Sequence, residues 1–166
     1  KKISPLTLNI KSPKETGKTF SSNSKLKAKF FSKYVNYPVV SDDSGLCIEA
    51  LGNKPGIHSA RLAKNNGSFF KAMKLILKKL EKKKNRKAFF VCNLSYKDIN
   101  KKIISVEDRV YGKISNKILG KKGFGYDPIF IPDNEKFTFG QMLKSKKIKI
   151  DHRFKAFKKL KKKIRI

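Results

Sequence analysis

An α/β domain is what this sequence predicts, and three observations predict it. Stretches with apolar residues at helical spacing alternate with short apolar, β-branched or aromatic runs. No repeat or linker divides the chain, and the lysine-rich stretch Lys158 to Lys163 reads as the solvated face of a last helix. At 166 residues, 39% of them hydrophobic and 13 of them Phe, the chain is long enough for one core. One domain over residues 1–166 is the expectation.

The elements follow in chain order. Ile3 to Ile10, with Ile3, Leu6, Leu8 and Ile10, reads as a strand, and Ser12 to Gly17 as loop. Phe20 to Val35 carries Phe20, Leu26, Ala28, Phe30, Phe31 and Val35 at helical spacing, with Ser21 or Ser22 as N-cap. Val39-Val40 is a short buried strand and Leu46 to Leu51 another, with Ser41-Asp42-Asp43-Ser44-Gly45 between them. Gly52 to Gly56 is a turn, and Ile57 to Ala63 fits either helix or strand. Ser68 caps a helix to about Lys82, with Phe69, Phe70, Met73, Ile76, Leu77 and Leu80 on one face. Ala88 to Tyr96 is a strand buried on both faces, and Ile103 to Val110 pairs with it around a hairpin at Lys97 to Lys102. Tyr111 to Ile114 extends or bends that strand. Gly120 to Pro128 is loop, Ile129 to Ile131 a strand, and Thr138 opens a short helix. Asp151 precedes a last helix, His152 to about Lys163, with Phe154, Phe157, Leu160 and Ile164 on one stripe.

Charge narrows the function classes. The formal net charge is +30, and lysine supplies nearly all of it; the arginines are Arg61, Arg86, Arg109, Arg153 and Arg165. A reader of bases clusters arginine for bidentate contacts, whereas these lysines are spread over the chain. The excess is read as surface usage that also attracts polyanions, nucleoside triphosphates among them. Cys47 and Cys92 lie in apolar runs and point to a reducing, cytoplasmic setting. No run has the length of a membrane span and no signal-peptide pattern is present.

Three stretches carry candidate chemistry. Asp42-Asp43-Ser44-Gly45 is ordinary turn chemistry taken alone. In an extended segment, however, consecutive side chains point to opposite faces, so one aspartate faces a site and the other is structural. In Gly123-Phe124-Gly125-Tyr126-Asp127-Pro128 the glycines let backbone approach a ligand and an aromatic ring can stack on a base; a tight aromatic turn packed on the core is the alternative. Lys147, His152 and Arg153 gather donors near a helix start, where an anion is favoured.

These stretches occur in one order with Glu15-Thr16-Gly17-Lys18-Thr19-Phe20, Asn23, Lys27-Ala28, Gly52, Pro55-Gly56-Ile57-His58-Ser59-Ala60-Arg61 and Thr138. Together they resemble the inosine triphosphate pyrophosphatase family from about Glu15 to Leu160. The resemblance implies an elongated α/β domain with a long mixed sheet, a cleft between two lobes and a homodimer. It implies magnesium-dependent hydrolysis of ITP, dITP or XTP to monophosphate and pyrophosphate. It makes Asp43 the proton acceptor and, with Glu15, the metal site. Ser44, Lys27, Phe124, Gly125, Tyr126, Asp127, Lys147, His152 and Arg153 become substrate contacts, with Lys27 and Lys147 on phosphate and Phe124 on the base. Asp43, Glu15, Lys147 and Arg153 are expected to line one cleft. Ser59-Ala60-Arg61 receives no role.

The sequence departs from the family in places. Lys1 to Lys14 does not match the family's opening strand and Thr/Ser-Gly-Asn-x-x-Lys phosphate loop, and the expectation is that both are missing from this sequence. Gln141 stands where the family has Glu and Asp151 where it has Ser. The alternatives are a truncated, weakly active or inactive member, or a basic nucleic-acid-binding protein without catalysis. No membrane partner and no specific nucleic acid is expected.

Overall fold

The computed structural model describes residues 3–99 and 102–164. The first turn of structure is a 3-10 helix at Pro5–Leu8, not the expected strand. Pro5 fixes its own φ, and the Thr7 hydroxyl donates to the Ser4 carbonyl, closing a local turn where a strand would need a partner.

Helix α1 spans Phe20–Phe31. Its cap is Thr19 rather than Ser21 or Ser22; Thr19 accepts from the Ser22 amide while Ser22 Oγ accepts from the Thr19 amide. The helix stops short of Val35, with Ser32 as its C-cap. Strand β1 runs unbroken over Val39–Ile48, so Asp42 to Gly45 lies inside a strand and not in a turn between two short ones. Ladder pairing with the next long strand holds those residues extended, against their turn propensity. Strand β2 is Lys54–Pro55, α2 is Ser59–Asn65 and α3 is Phe69–Lys79. Ser68 caps α3 as expected, by accepting from the Lys71 amide. Strands β3, Lys87–Lys97, and β4, Ile104–Ile114, form the expected antiparallel pair. Part of the turn between them lies outside the described residues.

Strand β5 is Phe130–Pro132. Thr138 opens only a turn, whose amides at Gln141 and Met142 return to the Thr138 carbonyl. The helix in this region is α4, Lys144–Ile150, and α5 follows as His152–Ile164. The buried stripe of α5 is His152, Ala156 and Leu160. Phe157, placed on that stripe by the sequence, is exposed.

The sheet order is β2-β1-β3-β4-β5. The α/β domain is as expected, but every pairing among the described residues is antiparallel where a mixed sheet was anticipated. Two different surfaces cover the two faces. On one, α1 lies across β1 and β3 through polar contacts. Ser24 Oγ reaches Asn93 Oδ1 at 2.6 Å and Ser95 Oγ at 2.7 Å, and Ser41 Oγ donates to the Ser24 carbonyl at 2.6 Å. On the other, Leu46, Ile48, Phe90 and Val110 meet Met73, Ile76, Phe130 and Phe139, while Cys92, Leu94 and Val106 meet Ala156 and Leu160 of α5. Burial of these side chains drives the fold, at roughly 25 cal/mol per Å² of apolar surface. The polar face instead fixes where α1 sits, because oriented hydrogen bonds tolerate little sliding.

Candidate active site

Alternation along β1 sends Asp43 toward α1 and Asp42 the other way. Asp43 is 6% exposed. Its Oδ2 accepts from Asn23 Nδ2 at 3.2 Å, and Lys27 Nζ stands 3.5 Å from its Oδ1. The same ammonium bonds Glu15 Oε1 at 2.9 Å. Two carboxylates therefore converge on one cation. Asn23 Oδ1 also accepts the Gly17 amide at 2.8 Å, tying the Glu15 loop to α1. Burial raises the Asp43 pKa, only partly offset by Lys27 and Asn23. Burial works against the Lys27 charge, but the Glu15 hydrogen bond and the Asp43 and Glu15 charges outweigh it and raise its pKa.

The opposite side of β1 carries a second group. Asp42 Oδ2 accepts from Ser44 Oγ at 2.9 Å and from Arg153 Nη2 at 3.4 Å. The Arg153 guanidinium lies 4.6 Å from the Phe124 ring centre, and Lys147 Nζ lies 4.3 Å from it. Phe124 itself is 53% exposed, a ring face braced by two cations. Its amide donates to Asp127 Oδ2 at 2.7 Å, and Lys147 Nζ is 3.0 Å from that oxygen. This tight return needs Gly123, which has φ +78° and where a side chain would collide with the Asp127 carboxylate. Asp151 accepts from the Phe154 amide at 2.8 Å and so caps α5, fixing His152 and Arg153.

His152 is buried, its ring stacked on Phe90 at 4.8 Å with 9° between planes. Burial, with Arg153 and Lys147 adding to it, pushes its pKa down to about 3, so the imidazole is neutral. Burial also raises the Asp127 pKa, against the Phe124 amide and Lys147. Among the described residues, three buried side-chain atoms lack a hydrogen-bond partner: Asp127 Oδ1, His152 Nδ1 and Arg153 Nη1. Unsatisfied buried groups are costly, and these three belong to residues of the same loop and helix start.

The residues expected in one cleft thus divide into two groups, back to back across β1. Asp43, Glu15 and Lys27 face α1; Ser44, Phe124, Asp127, Lys147, His152 and Arg153 lie on the α5 side. Strand alternation is the reason. Lys147, expected on phosphate, is engaged with Asp127 and Phe124. Tyr126 differs as well. Its ring is 2% exposed and its hydroxyl donates to the Ser59 carbonyl at 2.8 Å, so it holds the loop in place. Gly125, at φ +62°, shapes that turn beside Phe69. Sequence reasoning missed the Asp42–Arg153 contact, which no spacing encodes. It also missed the Lys147–Asp151 pair at 3.8 Å, whose i,i+4 separation was visible. A cavity of about 470 Å³ beside Leu51, Leu62 and Ile76 contains neither group.

A carboxylate pair on one sheet face, Asp43 buried and Glu15 partly exposed, and a cation-braced aromatic ring beside unpaired polar atoms on the other are the two candidate groups of this α/β domain. The chain belongs to the Ham1 family, whose model matches residues 1–163. It is 40% identical over 164 residues to a dITP/XTP pyrophosphatase of Dictyoglomus thermophilum, covering 97% of this chain and 80% of that one. A dITP/XTP pyrophosphatase of Borreliella burgdorferi is 45% identical over 169 residues, covering 96% of this chain and 82% of that one. Among solved structures, the Staphylococcus aureus Ham1 protein superposes with a TM-score of 0.89 at 36% identity, covering 96% of this chain and 83% of that one.

Proposed function

We propose that this chain hydrolyses deaminated purine nucleoside triphosphates, ITP, dITP or XTP, to the monophosphate and pyrophosphate. The carrying observation is the trio of unpartnered buried atoms beside the exposed Phe124 ring. A 6-oxo purine presents an acceptor where adenine presents a donor. Arg153 supplies the matching donor, and Asp127 Oδ1 accepts from the ring N–H that a 6-oxo purine carries and adenine lacks. The names of the relatives, dITP/XTP pyrophosphatases, support the same substrate class.

The Glu15–Asp43 pair suits magnesium, which binds through one or two carboxylates together with phosphate oxygens and waters. Both carboxylates lie within 3.5 Å of Lys27 Nζ, so they converge on one point, from which that ammonium would withdraw toward phosphate for an ion to bind. Bound there, the ion neutralises phosphate charge. Asp43 takes the proton of the attacking water, and its raised pKa suits a base. Lys27 holds phosphate charge, and Ser44 and Asp42 hold Arg153 in place. A homodimer in the cytoplasm is the working form proposed, the two buried thiols suiting a reducing compartment. No helix among the described residues is long and apolar enough to cross a membrane.

The experiment is pyrophosphate release from dITP, XTP, dATP and dGTP, with and without magnesium. Release from dITP and XTP but not from dATP, abolished by chelation, is the expected result, and dGTP, which shares the 6-oxo group and the ring N–H, reads whether the 2-amino group is tolerated. Binding without release, or equal release from dATP, overturns the reading.

A further inference from the structure

We infer that Ser59-Ala60-Arg61 is a brace that joins the two halves of the site, with Arg61 a positioning residue for Glu15. Glu15 sits in a stretch without regular structure between Ile10 and Gly17, so its carboxylate has no helix or strand to aim it. Arg61 Nη2 donates to the Glu15 carbonyl at 3.0 Å and stands 4.0 Å from Glu15 Oε2. One guanidinium thus holds both the backbone and the carboxylate of that residue.

The other end of the brace is anchored in the core. Ser59 Oγ accepts the Leu46 amide at 2.9 Å and donates to the Gly56 carbonyl at 2.7 Å. The Ser59 carbonyl accepts the Tyr126 hydroxyl, which belongs to the loop presenting Phe124 and Asp127. Gly45 of β1 has no side chain because one would lie 2.7 Å from Ser59 Oγ and strike the Gly56 carbonyl. The brace therefore touches the base loop, the strand carrying both aspartates, and the loop carrying Glu15. A carboxylate on a loop is useful to catalysis only when its direction is fixed. Arg61 fixes it without contributing much to the core, since its side chain is 46% exposed.

This inference rests on the proposed metal-site role of Glu15. Arg61→Ala and Arg61→Lys are compared with the parent for kcat and KM on dITP, thermal midpoint, and backbone hydrogen exchange. Arg61→Ala is expected to lower kcat by about tenfold to a hundredfold, with KM changed by less than about threefold. Exchange should quicken in residues 14–18 while β3 amides stay protected, with the thermal midpoint nearly unchanged. Arg61→Lys, which still donates to the Glu15 carbonyl, should recover part of the kcat. A kcat within about twofold of the parent, unchanged exchange in residues 14–18, or a raised KM at constant kcat overturns the inference. A parent chain that releases no pyrophosphate instead sinks the proposed function, and exchange then reads the brace on its own.

Discussion

His152 makes the fold acid-sensitive in a calculable way. Its folded pKa is pushed down to about 3 from an ordinary 6.5, by burial first and by the Arg153 and Lys147 charges next. Below pH 6.5 the unfolded imidazole takes up a proton and the folded one does not. The contribution is therefore complete above pH 6.5 and is lost as pH falls toward the folded value. Each pH unit in that window costs about 1.4 kcal/mol, so about 2 kcal/mol is gone by about pH 5. Asp43 and Asp127 act in the opposite sense, because their raised pKa values let the folded state take protons more readily. Raw stability against pH mixes these effects; a comparison with His152→Phe separates them. Phenylalanine keeps the stack on Phe90 and cannot titrate. Urea unfolding of both proteins at pH 7, 6 and 5 should show the parent losing about 2 kcal/mol more than the variant. Parallel curves would refute a neutral, buried His152.

Five substitutions probe the rest of the site and the core. Asp43→Asn should abolish turnover while leaving nucleotide affinity within about tenfold, and Asp42→Asn should be milder and act mainly on KM; equal kcat losses in steady-state kinetics would reverse the assignment. Phe124→Ala should raise KM for dITP by about tenfold with little change in stability, because a stacking face worth about 1–3 kcal/mol is lost from an exposed ring. Lys147→Met strands the buried Asp127 carboxylate and should cost about 3–5 kcal/mol in urea unfolding, whereas a loss below about 1 kcal/mol would show that this pair is dispensable. Phe130→Ala removes a fully buried ring packed on Phe90 and Phe139 and should cost about 3–5 kcal/mol.

Much of the architecture was legible because the long helices and strands announce themselves by period. The α3 cap at Ser68 and the β3–β4 pair are of that kind. The continuous β1 was not, since Asp, Ser and Gly are turn formers and only pairing with β3 keeps them extended. Likewise α4 was hidden in a run of lysines without an apolar face. At the site, alternation correctly separated Asp42 from Asp43. Its consequence for the single cleft was missed, because which elements cover each face is a tertiary fact. For the aromatic loop the sequence left two readings open, because an aromatic beside glycines fits a stacking platform and a core-packed turn alike; Tyr126 takes the second. Arg61 had a motif but no role until the distance to Glu15, remote in sequence, was known.

The two aspartates share one strand, and this makes β1 a ruler whose unit is a single residue. Removing or adding one residue between Ser41 and Leu46 would turn one part of the strand over relative to the rest, so that the aspartates and the core residues Leu46 and Ile48 could not all keep their faces. Loops other than those carrying Glu15 and Phe124 carry no such arithmetic and can change length at little cost. Drift in this chain is therefore free to lengthen or shorten those outer loops, while the count of residues along β1 is held fixed by the groups on both of its sides at once.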